Sequence, residues 1–346
     1  MCYKTRVLNQ AAFVVKKIDE HIIFMKNNEI KIDGVPAVVY GENSDKLFIC
    51  VHGLCGNKYE AEKFAEIAQY GGYQILSVDL PEHGGRTDGK KLLPWEVVPE
   101  LREIVEYAKT KWKEINVRAV SIGAYFSLLS FIGYDVKKCL LVSPLTDMVE
   151  IIGGMMKAAG VSEKELEEKG EIRTDFGQTL SWKYLCFARK NPVGKIGSDT
   201  RILCAENDEV VPHFTVKNFA KKYGCDLDVY ENGEHFFHTE MQVAYMRKWE
   251  NVALYGMNLD EIHTTEAGKI RICRNLGIGS DPVEYCKKII ASGNCKRERK
   301  GKNVYFTTNK AEITLNASAK SIVTAHKITA LKVKKKSEKI TKRRLL

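Results

Sequence analysis

Short apolar runs alternate with helix-forming runs along most of this chain, and that alternation limits the folds open to it. Strand-like runs fall at residues 46–51, 73–78, 117–120, 139–142, 201–204 and 227–230. Between the first two, Ala61, Phe64, Ala65 and Ala68 recur at helical spacing. Between the next two, a helix is predicted over 94–112, with Pro94 early and Val97, Leu101, Ile104, Val105 and Ala108 on one face. Strands this short and apolar are buried on both sides. The chain therefore reads as α/β, a mostly parallel sheet with helices on both faces. Residues 21–40 differ: they alternate, turn at Lys26-Asn27-Asn28 and again at Asp33-Gly34, and read as an antiparallel edge.

One insertion interrupts the rhythm. Residues 147–200 separate two strands and hold helical segments at 149–159, 163–169 and 180–190, which reads as a helical cap over the active-site end of the sheet. Trp182, Tyr184 and Phe187 are candidates to line a pocket from that cap, although an aromatic stripe at this spacing is more often simple packing. Beyond residue 256 the character changes. Residues 257–346 hold 21 Lys+Arg against 8 Asp+Glu, leaving 33 against 36 for the first 256. A mildly acidic body carries a basic appendix. The reading is an α/β domain over 1–256, a small basic α+β domain over 257–330, with helices at 266–276 and 282–290 and strands at 295–299, 303–307, 312–316 and 320–324, and a basic, disordered tail over 331–346.

The composition excludes several classes. No apolar run approaches the roughly 20 residues of a membrane span. The N-terminus lacks the apolar core of a signal peptide. Ten cysteines without Cys-x-x-Cys or a Cys/His spacing suited to zinc indicate free thiols, no disulfide framework and no metal. A cytoplasmic protein without a cofactor is expected.

Chemistry concentrates at Ser121, in Asn116-Val-Arg-Ala-Val-Ser121-Ile-Gly123. A strand enters, a helix leaves, and the tight turn pushes a hydroxyl out at the sheet's end. Such a serine needs a base, and the base needs an acid to fix its tautomer. Asp208 follows the strand 201–204, and His235 follows the strand 227–230, in the order serine, acid, histidine. Glu206 is the alternative acid. An oxyanion would be held by the N–H groups of Leu54, in His52-Gly53-Leu54, and of Ile122. His52, Gly53 and Gly123 shape these loops. His83 and Arg86 read as braces of the Asp79 loop, His238 as the opening of the last helix, and Cys55 as packing.

Residues from about 20 to 255 resemble an α/β-hydrolase through Val51-His52-Gly53, Asp79 to Gly84, Ser121 to Leu128 and Glu231 to His238. Ala119 stands where the family's elbow has its first glycine. The resemblance implies a serine hydrolase that cleaves an ester, thioester or amide through an acyl-enzyme on Ser121, with a small-molecule acyl substrate. The competing reading is a non-catalytic binding or regulatory scaffold. Residues 262–265, 271–276, 301–303 and 321–327 resemble a small bacterial domain of unknown function. The run Lys296 to Lys302 and the tail Lys332 to Arg344 could contact the phosphates of a nucleic acid, against the slightly favoured reading of a solvated face and a soluble tail. A fainter similarity to small ribonuclease toxins would single out His263, Arg271, Thr324 and His326.

Overall fold

The structure is a computed structural model that describes residues 27–328. The expected tail at 331–346 and the start of the expected edge at 21–26 lie outside the described residues. Of the described residues, those up to Gly41, Leu47–Ala61 and Ile75–Phe236 form one compact unit by their contacts, while Glu42–Lys46, Glu62–Gln74 and those from Phe237 on form another.

The first unit opens with a hairpin of β1 (Asn27–Ile32) and β2 (Val35–Tyr40). Its turn residues Asp33 and Gly34 both have positive φ, 47° and 86°, the mirror-image turn whose twist suits paired strands. Next come β3 (Lys46–Val51), β4 (Tyr73–Val78), β5 (Glu114–Val120) and β6 (Val136–Val142). The short hairpin β7 (Glu171–Arg173) and β8 (Thr179–Ser181) stands apart, and β9 (Asp199–Ala205) and β10 (Asp226–Tyr230) complete the sheet. Its order is β1-β2-β4-β3-β5-β6-β9-β10. Strands β5, β6, β9 and β10 pair in parallel, and β2 pairs antiparallel with both β1 and β4. Nearly every residue of β3, β4 and β5 is buried, the polar Gln74, Ser77, Asn116 and Arg118 among them.

Helix α1 (Glu62–Ala68) belongs to the second unit. In the first, α2 (Pro94–Lys111) starts on its proline and buries Val97, Leu101, Ile104, Val105 and Ala108. Helix α3 (Ile122–Ser130) is buried along almost its whole length. Its two serines therefore have no water to bond, and Ser127 and Ser130 donate to the carbonyls of Gly123 and Phe126, both at 2.7 Å. In the insertion, α4 (Met148–Ala159), α5 (Glu163–Lys169) and α6 (Trp182–Lys190) are capped by the side chains of Asp147, Ser162 and Ser181. The last of these helices starts two residues later than its periodicity suggested. Leu180 pairs in the hairpin, and Ser181 caps from outside the helix. Helix α7 (His213–Tyr223) packs on β9 and β10.

The second unit joins α1 to α8 (Glu240–Tyr255), α9 (Glu266–Leu276), α10 (Pro282–Ala291) and an antiparallel sheet of β11 (Lys296–Lys300), β12 (Asn303–Thr307), β13 (Ala311–Asn316) and β14 (Ile322–Lys327). Its core gathers Ile272, Leu276, Cys286, Phe306, Ile313 and Ile322 among others. The Tyr255 hydroxyl donates to the Ile67 carbonyl at 2.8 Å and accepts from the Gly71 N–H at 3.0 Å, and Tyr70 donates to Glu284 at 2.7 Å. Strand β14 runs later than the expected 320–324. Lys320 turns with φ 53°, and Ser321 bridges to His263 before the strand begins. Among the described residues no helix is long and apolar enough to cross a membrane.

Candidate active site

Strand β5 ends at Val120, and Ser121 takes φ 52°, ψ −121°, a region a non-glycine residue enters only when its surroundings force it. The forcing contacts are its N–H, which donates to the Val142 carbonyl at 2.9 Å, and its carbonyl, which accepts from Ala124 at 3.0 Å and Leu145 at 3.4 Å. Gly123 must be glycine: a Cβ there would lie 2.2 Å from the His52 carbonyl oxygen. At Gly53 a Cβ would sit 3.2 Å from that of Ser121, so the loop after β3 passes directly against the serine.

The Ser121 Oγ lies 2.8 Å from His235 Nε2. The other ring nitrogen, Nδ1, lies 2.8 and 2.9 Å from the two carboxylate oxygens of Asp208. A carboxylate only accepts, so Nδ1 carries the proton and Nε2 is free to accept from the serine hydroxyl. The His235 and Asp208 side chains are 2% and 3% exposed, which shields the pair from water. Asp208 is itself held by the N–H groups of Val210 and Val211, at 2.9 and 2.7 Å. Glu206 instead accepts from the Asn232 N–H at 3.1 Å, so of the two candidate acids Asp208 is the one at the histidine.

One contributor had no signal in the sequence. Ser143, just past β6 with φ 44°, donates from Oγ to the His235 carbonyl at 2.9 Å. A Ser-Pro pair after a strand looks like any turn. Only the fold brings it within reach of a residue 92 positions on.

The loop after β3 is fixed by a second network. His52 Nε2 accepts from the Leu80 N–H at 3.0 Å, so its Nδ1 bears the proton and donates to the Gly53 carbonyl at 2.7 Å. Burial pulls the His52 pKa down to about 4, which keeps the ring neutral. The buried Asp79 carboxylate accepts from the Lys58 N–H at 2.7 Å, Lys58 Nζ at 3.2 Å and the Gly85 N–H at 2.8 Å. His83 accepts from the Cys55 N–H at 2.9 Å. Arg86 donates to the Asp79 carbonyl and, through both terminal nitrogens, to Glu100. The loops carrying His52 and Asp79 are thus stitched together, with Leu54 on the first and Ile122 opening α3 beside the serine.

The remaining candidates stand apart from this centre. Tyr184 and Phe187 meet the Trp95 ring edge-on at 6.2 and 6.1 Å, and Arg189 lies over Trp182. Helix α8 is opened by Thr239, in a capping box with Gln242, and His238 precedes it. In the second unit Arg271 donates to the Val323 carbonyl, Thr324 Oγ1 lies 3.0 Å from His326 Nε2, and His263 Nδ1 donates to the Glu261 carbonyl. Among the described residues no three His, Cys, Asp or Glu side chains gather to hold a metal ion.

Comparison with known proteins follows the same division. A model of the family described as a protein of unknown function, DUF3781, matches residues 257–326. No curated protein matches the chain. Among solved structures, Est1E from Butyrivibrio proteoclasticus with ferulic acid bound is similar at 19% identity and a TM-score of 0.51, over 65% of this chain and 96% of its own. Alpha/beta hydrolase domain-containing protein 10 from mouse is similar at 14% identity and a TM-score of 0.52, over 64% of this chain and 95% of its own. The strand order of the large sheet, the buried elbow and these likenesses show the α/β-hydrolase fold, and residues 257–326 match a family with no assigned function.

Proposed function

We propose that the protein is a serine hydrolase that cleaves an ester, thioester or amide. The reading rests on one observation, the unbroken chain of hydrogen bonds from Ser121 Oγ through His235 to Asp208. In the reaction, Ser121 Oγ attacks the substrate carbonyl as His235 Nε2 takes its proton. Asp208 holds the imidazole in the required tautomer and stabilises the imidazolium. The Leu54 and Ile122 N–H groups receive the oxyanion, each worth about 3 kcal/mol of transition-state stabilisation. His235 then protonates the leaving group, the acyl group stays on Ser121, and water activated by His235 releases the acid. His52 acts in this scheme by shape, since a neutral ring committed to Leu80 and Gly53 has no proton to exchange. A fold neighbour with ferulic acid bound is in keeping with a carboxylic acid product.

The test is labelling by a fluorophosphonate probe. Wild type is expected to label, and Ser121→Ala is expected not to. Labelling that persists in Ser121→Ala overturns the assignment.

A second reading concerns the other unit. Strand β11 carries Lys296, Arg297, Arg299 and Lys300, all exposed, at the edge of its sheet. Such a strip suits a phosphate backbone. Retention of single-stranded RNA by the full chain, weakening steeply as salt rises, is the expected result. No retention at low salt ends this reading.

A further inference from the structure

The end of strand β6 holds both partners of the proton transfer. The Val142 carbonyl accepts from the Ser121 N–H at 2.9 Å, and the Leu145 N–H donates to the Ser121 carbonyl at 3.4 Å. Between them, the Ser143 N–H donates to the Leu203 carbonyl of β9 at 2.8 Å, and Ser143 Oγ donates to the His235 carbonyl at 2.9 Å. The segment 142–145 thus grips the nucleophile's backbone at its N–H and its carbonyl. It also grips the strand that leads to Asp208 and the backbone of the base. Ser121 Oγ and His235 Nε2, 2.8 Å apart, belong to residues tied to the single dipeptide Val142-Ser143.

The loop that carries His235 is fastened in two places. Upstream, the Asn207 N–H donates to the Gly233 carbonyl and the Asn232 N–H to the Glu206 carboxylate, both at 3.1 Å. At the backbone of His235 itself the partner is the Ser143 hydroxyl. A shift of that backbone carries the imidazole with it. Proton transfer tolerates little displacement, since a misplacement of about 1 Å can cost roughly a hundredfold in rate.

The conformation of Ser143 points to its hydroxyl. The residue is fully buried and has φ 44°, in the left-handed region where a side chain is strained and glycine is not. Glycine would make the same turn with less strain. Serine adds a methylene and a hydroxyl, and that hydroxyl is committed to the histidine.

We infer that Ser143 is a positioning residue of the hydrolase, whose hydroxyl sets the distance between base and nucleophile by holding the backbone of His235. The inference rests on Ser121 and His235 acting as proposed, and the test separates the two. Ser143→Gly removes the hydroxyl and relieves the strain. Ser143→Ala removes the hydroxyl and keeps the strain. The two variants differ in backbone freedom and in volume, so their urea midpoints are expected to separate, while the missing hydroxyl is common to both. In both, kcat for p-nitrophenyl acetate is expected to fall by a similar factor, at least about tenfold, with KM unchanged, because the hydroxyl acts on the base and touches no substrate. In a His235→Ala background, Ser143→Gly is expected to leave the residual rate within about twofold, since the group it would position is gone.

Circular dichroism and the rate of fluorophosphonate labelling are read in every sample, and the labelling rate gives the same comparison where the ester is not turned over. An unchanged kcat, a kcat that follows the urea midpoints, a loss confined to KM, or a fresh loss in the His235→Ala background overturns the positioning role and leaves the nucleophile standing. Ser143→Gly decides alone if Ser143→Ala does not fold. Failure of both to fold also overturns the role, because the hydroxyl would then serve stability. Wild type that neither labels nor turns over the ester overturns this inference and the hydrolase together.

Discussion

Two clusters of polar side chains, one in each unit, contain histidine and hydroxyl groups within hydrogen-bond distance, and they differ in how they are made. In the first unit His235 meets a serine 114 residues away and an acid 27 residues away. In the second, His326 meets Thr324 and His263 meets Glu261, each only two residues off. The first arrangement is buried and sits amid strained backbone, with positive φ at Cys55, Ser121, Ser143 and Asn232 in the loops that form it. The second lies on ordinary, exposed chain. A local bond between exposed neighbours needs nothing from the fold. Convergence across more than a hundred residues, at strained positions, persists only where the rest of the structure over-determines it. That is why the first cluster carries a functional proposal and the second does not.

The comparison can be broken most decisively at Asp208. Asp208→Asn keeps the shape but lets the side-chain amide donate to His235, which favours the wrong tautomer. Ester turnover is expected to fall roughly 10³- to 10⁴-fold with the fold intact by circular dichroism. A loss below tenfold would mean that the buried contact orients nothing.

A pair of glycine substitutions sharpens the contrast in stability. At both Gly123 and Gly268 an added Cβ would lie 2.2 Å from an oxygen. At Gly123 that oxygen is the His52 backbone carbonyl, with the Val51 carbonyl 2.8 Å away, and neither can move without moving the loop after β3. At Gly268 it is the Thr264 hydroxyl, which can rotate. Gly123→Ala is expected to cost at least about 3 kcal/mol and Gly268→Ala about 1 kcal/mol, read from urea midpoints. Equal costs would remove the claim that the elbow is the tighter of the two.

How far the sequence reached differs between the same two regions. Ser121, Asp208 and His235 each stand just past a short apolar run, and a strand followed by a turn is a local signal. Asp208 is preferred over Glu206 in the sequence because Glu206 stands at the strand's end, and the loop brings Asp208 to the histidine while Glu206 accepts from Asn232. Ser143 was invisible, since its partner is the carbonyl of a remote residue. The hairpin at 171–181 is three residues a side and too short to show alternation. For the cap aromatics the spacing did not name the partner: Tyr184 and Phe187 meet Trp95, about 90 residues earlier, which no helical spacing reveals. The grouping of Glu62–Gln74 with the chain beyond Phe237 likewise depends on contacts such as Tyr70 to Glu284.

Acid should distinguish the two units as well. His52 titrates near 6.5 in an unfolded chain and at about 4 in the folded one. Between those values the unfolded chain takes up a proton that the folded one refuses. Stability from this group is therefore complete above pH 6.5 and declines as pH falls toward 4, by about 3 kcal/mol at most. His52→Gln is expected to flatten that decline in urea titrations from pH 7 to pH 4.5. An unchanged slope would show that the ring is not held neutral by burial.

The smallest effect is expected where the local reading is simplest. The Thr324–His326 contact is exposed, so water replaces either partner when the other is removed. His326→Ala and Thr324→Val should each shift stability by less than about 0.5 kcal/mol, and ester turnover should stay at the wild-type rate. The same substitutions should also leave RNA retention untouched if that retention comes from the lysines and arginines of β11, because neither residue is on that strand. A marked loss of RNA retention in His326→Ala, with the β11 charges intact, would mean that the exposed cluster is a site in its own right. Burial and long-range convergence would then have failed as the criterion that separates the two regions.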